Sequence, residues 1–242
     1  MHEWFGVIGD LGGDDDSAEA TRRATATSRG SWAPPLAVLS HLAWQAFESH
    51  AQGGGLPWVV WIGKRCWPYP RWLIRPRHGQ DADLRLLRHV IYVDPPDAAS
   101  RLWAIDLAAR SSAVTAVVAD GSGFDMAATR RLQLVAAEHE TTILLARPPR
   151  EITQLSAAAT RWVVTHRPVQ AVERTCPRWR LTLLRCKGGA LAGVSNFAGQ
   201  SMFWDVEWQH GTGLVAVPAD VVDRSGASET AIPARRDERR SA

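Results

Sequence analysis

IYVDPPDAASRLWAIDLAARSSAVTAVVADGSGFDMAATRRLQLVAAEHETTILLA, residues 91–146, decides the fold. An apolar run (HVIYVD, 89–94) leads into a helical pattern. A second run (TAVVAD, 115–120), a second helical pattern and a third run (TTILLA, 141–146) follow. That order predicts βαβ units feeding one parallel sheet. The middle run ends on Asp120, at the carboxyl end of a buried strand, where open α/β sheets place their ligands.

Working outward, Asp97 and Asp125 stand as N-caps of the two helices. The first helix carries Leu102, Ile105 and Ala109 on one face, with Trp103 and Leu107 alongside. The second turns Ala128, Leu132 and Val135 inward and leaves Arg130, Arg131 and Glu138 facing solvent or a partner. Upstream, His2 to Ile8 reads as a short strand, and Pro34 and Pro35 open a helix through Leu36, Leu39, Ala43 and Phe47. Gly53 to Gly55 stop that helix, and Trp58 to Ile62 is a buried strand. The segment CWPYPRW (66–72) reads as extended, because each proline disfavours helix in the residue before it.

Downstream the rhythm changes. RWVVTHR (161–167), RWRLTLLRC (178–186), MFWDVEW (202–208) and GLVAV (213–217) read as strands. Trp179, Leu181 and Leu183 share one face; Trp204, Val206 and Trp208 share another, with Asp205 and Glu207 opposite. Such alternation suits antiparallel strands with one wetter face. The predicted fold class is α/β: a mostly parallel central sheet flanked by helices, with an antiparallel C-terminal extension.

Composition sets outer limits. A chain of 242 residues with 45% hydrophobic and 22% charged residues can bury one substantial core. No apolar run reaches the ~20 residues of a membrane-spanning helix, and MHEWFGVIGD lacks a secretory pattern, so a cytoplasmic location is expected. Cys66, Cys176 and Cys186 form no CxxC pair, and the eight histidines include no HxxxH or HExxH spacing, so neither a disulfide framework nor a metal site is expected. A net charge of +3 permits nucleic-acid contact without arguing for it. DGSGF (120–124) is not the GxSxG of a nucleophile elbow. Among 12 tryptophans, Trp103, Trp162 and Trp179 fall in core-like patterns; Trp67 and Trp72, amid prolines and arginines, either form a contact surface or cover the sheet edge.

Several of these stretches carry a resemblance. LWAIDLAARSSAVTAVVAD (102–120) is similar to the helix and strand leading to the Walker B aspartate of the RecA recombinase family. DMAATRRLQLVAAE (125–138), LSAAATRW (155–162), PRWRLTLLRCKGG (177–189), WDVEW (204–208) and VVDR (221–224) more closely resemble successive motifs of the ImuA family. These are degenerate RecA-like accessory proteins of mutagenic translesion DNA synthesis. HEWFG (2–6) resembles the strand before that family's P-loop position. The resemblance implies one RecA-like domain over 1–224, with an antiparallel strand part at 161–224. The polar, small-residue stretch 17–31 reads as a flexible loop, and the tail 225–242, which has no apolar periodicity, reads as disordered.

A working P-loop needs GxxxxGK[ST], whose backbone N–H groups, lysine and hydroxyl hold phosphates and magnesium. Here GVIGDLGGDDDSAEA (6–20) has no lysine, and Asp14, Asp15 and Asp16 stand where triphosphate charge would sit. Gly63-Lys64-Arg65 reads as a surface turn, and WIGKRCW (61–67) offers no water-activating acid. Gly6 and Asp120 remain as remnants of a nucleotide pocket, with Asp120 expected to accept backbone hydrogen bonds or cap the following turn. The loops that carry DNA contacts in recombinases correspond to Gly121–Phe124 and Arg147–Leu155. Arg147 and Arg150 lie on the second, without an aromatic to stack a base. Arg161, Arg178, Arg180 and Arg185, with Arg130 and Arg131, complete the candidate partner or DNA contacts, each also readable as an ordinary outward residue.

The resemblance thus implies a non-enzymatic adaptor without cofactor in an SOS-type DNA-damage response. Its implied partners are an ImuB-like inactive Y-family polymerase homologue, through it an error-prone C-family polymerase, and RecA by analogy of fold. The alternatives are a nucleotide- or single-stranded-DNA-binding RecA-like regulator and a SulA-like cell-division inhibitor.

Overall fold

A computed structural model describes residues 1–7, 32–51, 55–77, 80–167, 176–187, 202–209 and 213–216. The expected flexible loop at 17–31, the aspartates 14–16 and the tail from 225 lie outside these residues. In chain order the elements are β1 (His2–Val7), α1 (Leu36–Ala51), β2 (Trp58–Ile62), β3 (Arg75–Arg77), β4 (Gln80–Asp83) and the single turn α2 (Arg85–Arg88). They continue with β5 (Val90–Val93), α3 (Ala98–Ala109), β6 (Val114–Asp120), α4 (Met126–Glu138), β7 (Thr142–Arg147) and β8 (Thr160–Arg167). β9 (Arg178–Cys186), β10 (Met202–Gln209) and β11 (Gly213–Ala216) complete them.

Nine strands form one sheet in the order β11-β10-β9-β8-β1-β7-β6-β2-β5; β3 and β4 pair separately. Every pairing from β8 across to β5 is parallel. Every pairing from β8 to β11 is antiparallel. The mostly parallel sheet between helices, with its antiparallel extension, is therefore the observed architecture. β8 belongs to both parts: it runs parallel to β1 on one edge and antiparallel to β9 on the other.

The period of two along the strands sorts two cores. Val59, Trp61, Ala116, Val118, Leu144 and Ala146 point to the face covered by α1, whose Val38, Leu39, Ala43, Trp44 and Phe47 are buried there. Val60, Ile62, Val117, Ala119, Ile143 and Leu145 point to the face covered by α3 and α4, against Ile105, Ala109, Leu132 and Val135. Because both faces are covered, β6 reads as a continuous apolar run rather than an alternating one. Each fully buried large side chain here contributes roughly 1.5–3 kcal/mol. Asp97 and Asp125 act as N-caps, their Oδ1 atoms accepting from the backbone N–H of Ser100 and Ala128 at 2.8 Å each.

Two expectations need correction. Residues 66–72 are not simply extended: 3₁₀ turns span Lys64–Cys66 and Pro70–Leu73. Pro70 opens the second turn, where its missing N–H costs nothing, while Tyr69 before it stays extended. Trp103 is not core; it is 62% exposed, with Leu107 at 54%. The inward stripe of α3 includes Asp106, and this buried carboxylate is matched by Arg110 at 3.1 Å and Arg131 at 2.9 Å. Trp162 and Trp179 are half-buried against the α1-side core. Trp162 stacks on Trp4 at 5.3 Å, and Trp72 of the second 3₁₀ turn meets Trp208 at 6.4 Å, so the antiparallel extension curls toward the α1 face.

Two histidines in this fold are held neutral. Burial and the neighbouring positive N-terminus lower His2 from 6.5 to about 4, and burial and Arg75 lower His41 equally. Between those values the unfolded chain binds more protons than the folded one. Their contribution to stability is therefore complete above pH 6.5 and is lost as pH falls toward 4. The melting temperature is expected to decline across that window. His2→Gln, which keeps a hydrogen-bonding group near Thr160 Oγ1 (2.8 Å from His2 Nδ1), should flatten the decline. Parallel melting profiles for the two proteins across the same pH series would refute it.

Candidate functional site

Because β1, β7, β6 and β2 run parallel and adjacent, their carboxyl ends open on one side of the sheet. This is where Gly6, Asp120 and the turn after β2 meet. β7 stands between the strand of Gly6 and the strand of Asp120.

Asp120 is 7% exposed and already engaged. Its Oδ1 accepts from the Ser122 N–H at 2.9 Å, closing the turn after β6 as expected. Its Oδ2 lies 3.6 Å from Arg65 Nε, and its carbonyl accepts from Arg101 Nε at 3.0 Å. Arg101 Nη2 also donates to the Ser122 carbonyl at 2.9 Å, fixing the same turn. Gly63 has φ of 88°, and a Cβ there would lie 3.1 Å from Asp120 Cβ. Lys64 donates its backbone N–H to Asp94 Oδ1 at 3.0 Å, so Gly63-Lys64-Arg65 does form a surface turn. Beneath it, burial and then the Asp120 carboxylate raise the Cys66 thiol well above its ordinary value, which makes it a packing group rather than a nucleophile.

Gly6 serves a close approach of the chain to itself. A Cβ at this position would overlap the Ala33 carbonyl oxygen and crowd the Pro35 ring at 3.2 Å. Residues 33–35 thus cross β1 at Gly6.

The flanking loops are tied down by a buried ionic network that the sequence reading missed. Glu3 on β1 is 0% exposed. Its Oε1 accepts from Arg147 Nη1 (2.8 Å) and Ser156 Oγ (2.7 Å), and its Oε2 from Arg161 Nε (2.7 Å). Arg147 also donates to Glu151 Oε2 from Nε (3.0 Å) and Nη2 (2.7 Å), and Nη2 donates to the Phe124 carbonyl (2.6 Å). Glu151 Oε1 accepts from the Gly123 N–H at 3.1 Å. The two loops Gly121–Phe124 and Arg147–Leu155 are therefore bound to each other and to β1. The one signal available in the sequence was Glu3 itself, a carboxylate inside the strand HEWFG.

The candidate arginines separate accordingly. Arg147, at 0% exposed, and Arg161, at 7%, are corrected from contact residues to buried partners of Glu3. Burial pulls the Arg161 guanidinium below its usual range, and Glu3 opposes that fall. Arg185 donates Nη2 to the Ser156 and Ala158 carbonyls at 2.6 and 3.2 Å, holding the chain before β8. Arg178 and Arg180 share the predicted face of β9 but are paired across the ladder with Glu207 at 2.7 Å and Asp205 at 2.9 Å. The Arg180 hydrogen bond is the main cause that holds the Asp205 carboxyl below its ordinary value. Arg131 pairs with Asp106, whose carboxyl it holds at about 2 with help from Arg110. Arg130 and Arg150 are exposed. Trp67 packs on Tyr92 of the edge strand β5 at 5.3 Å, so it covers the sheet edge; Trp72 packs between Tyr69 and Trp208.

No family model matches the chain. No curated protein matches it. Among solved structures it is similar to SulA from Pseudomonas aeruginosa, at 15% identity and a TM-score of 0.32, over 60% of this chain and 96% of that one. Among the described residues no helix is long and apolar enough to cross a membrane.

Proposed function

We propose that this protein is a non-catalytic, RecA-like adaptor of the ImuA type, scaffolding an ImuB-like polymerase homologue for error-prone synthesis on damaged DNA. The observation that carries the absence of catalysis is the state of the pocket remnants. Gly6 is overlaid by residues 33–35, and Asp120 spends its carboxylate on the Ser122 N–H and Arg65. An aspartate so placed stabilises its own turn. The partner surface on this reading is the wetter face of β9 and β10, where Phe203 is 48% exposed beneath Arg180.

Capture of the purified ImuB-like homologue tests this reading. Binding should be equally strong with and without magnesium and ATP, and the protein alone should neither bind nor turn over ATP. Micromolar ATP affinity, or capture that requires ATP, would overturn it. Charge reversal alone is ambiguous at the proposed face. Arg178→Glu with Arg180→Glu sets carboxylates directly opposite Glu207 and Asp205, and like charges across a ladder destabilise it. Adding Asp205→Arg and Glu207→Arg restores the internal pairs. Partner loss in the fourfold variant, with a restored melting temperature, places the interface on this face; full recovery of capture removes it.

A further inference from the structure

The positive charge of this chain is concentrated in the segment that follows β2. Residues 64–89 hold seven Lys and Arg against two Asp, a surplus of five, whereas the whole chain carries only +3. Part of that charge is spent internally: Arg75 on Glu48 at 2.8 Å, Arg85 on Asp83 at 2.7 Å and Arg65 on Asp120 at 3.6 Å. Lys64 and Arg71 are exposed, and aromatic rings are set among them. Tyr69 is 61% exposed and meets Trp72 edge-on at 5.1 Å. Arg71 lies over both rings, 6.0 Å from Tyr69 and 5.6 Å from Trp72. Tyr92, 41% exposed on the edge strand, is joined to the same segment through Trp67. The aliphatic side chains Leu73 and Leu86 are 0% exposed.

We propose that this face, from Lys64 to Trp72 with Tyr92 of β5, binds single-stranded nucleic acid. The chemistry matches that ligand on both counts. Unpaired bases stack on exposed ring faces without regard to sequence, and a track of cations follows the phosphates. Rings and arginines suit a protein or a nucleic acid. The net surplus of five positive charges over residues 64–89, with the nearby carboxylates Asp94 and Asp120 already held by the Lys64 N–H and by Arg65, favours a polyanion. The polypeptide supports it rigidly, because Pro70 opens the 3₁₀ turn and Trp44 Nε1 donates to the Trp72 carbonyl at 3.2 Å. The inference goes beyond the adaptor reading and stands or falls without it.

Fluorescence anisotropy of a labelled oligothymidylate with the full chain, over a series of salt concentrations, is the test. Tyr69→Ala should weaken binding roughly tenfold, the scale of one lost stacking partner. Lys64→Gln with Arg71→Gln should weaken binding and make the salt dependence shallower, as expected when phosphate contacts are removed. All three side chains are exposed, and unchanged melting temperatures of the variants verify that the fold is kept. Arg130→Gln with Arg150→Gln, on α4 and after β7 and outside the proposed face, should leave binding unchanged. Absence of binding to the oligonucleotide at low salt would overturn the proposal. So would binding lost only in the Arg130 and Arg150 variant. If the Tyr69 and Arg71 variants instead lose capture of the ImuB-like homologue while oligonucleotide affinity is unmoved, the face is a protein interface and the proposal fails.

Discussion

Glu3→Gln is expected to cost the fold on the order of 3–5 kcal/mol, the scale of removing one partner from a buried ion network. Arg147 and Arg161 would keep their charges in a site where the side chains of Arg147 and Glu3 are 0% exposed and that of Arg161 is 9% exposed. Arg147 would retain Glu151, but Arg161 would keep only neutral acceptors, the amide oxygen of the substituted side chain and the carbonyls of Glu151 and Ile152, and no carboxylate. Against a total stability of roughly 5–15 kcal/mol, such a loss leaves a marginal domain. Urea unfolding followed by tryptophan fluorescence measures it. Glu3→Leu combined with Arg161→Leu should regain part of the loss, because the uncompensated charge goes with its partner. A Glu3→Gln midpoint equal to that of the wild type would mean that the network contributes little to this fold.

Gly6→Ala is the second substitution with a large expected effect, about 3 kcal/mol, at the upper end of the range for overpacking. The obstacle is the Ala33 backbone carbonyl, which cannot rotate aside as a side chain would, and the Pro35 ring behind it. β1 lies between β7 and β8 and has no freedom to retreat. The same substitution separates two explanations of this glycine. If Gly6 serves only the crossing of residues 33–35, Gly6→Ala lowers the melting temperature markedly. If the glycine were kept for a phosphate, the variant would melt like the wild type.

Much of the architecture is written locally. Continuous apolar runs at 58–62 and 115–120 mark strands covered on both faces, because only a strand with no wet side can spare its polar residues. Asp97 and Asp125 announce their helices, since a short acceptor beside the first turn satisfies a backbone N–H whatever the surroundings. The alternation in β9 and β10 predicted the shared face of Trp179, Leu181 and Leu183, and the register then set Arg180 opposite Asp205. The turn-capping role of Asp120 was legible for the same reason: its partner, Ser122, is two residues away.

What the sequence by itself determined about this protein is accordingly the order and type of the strands of its main sheet and of α1, α3 and α4, with the caps of α3 and α4 and the faces of β9 and β10. All of these depend on neighbours a few residues apart. What only the tertiary structure decided is which charges are spent inside. Arg147 and Arg161 look like loop and strand cations until Glu3, 144 and 158 residues away, is folded between them. Trp103 looks like core until α3 turns Asp106 inward to meet Arg131 of the next helix. Trp67 meets Tyr92 only when β5 takes its place at the sheet edge. A charge is buried or exposed according to whether a distant partner compensates its desolvation, and no local pattern carries that information.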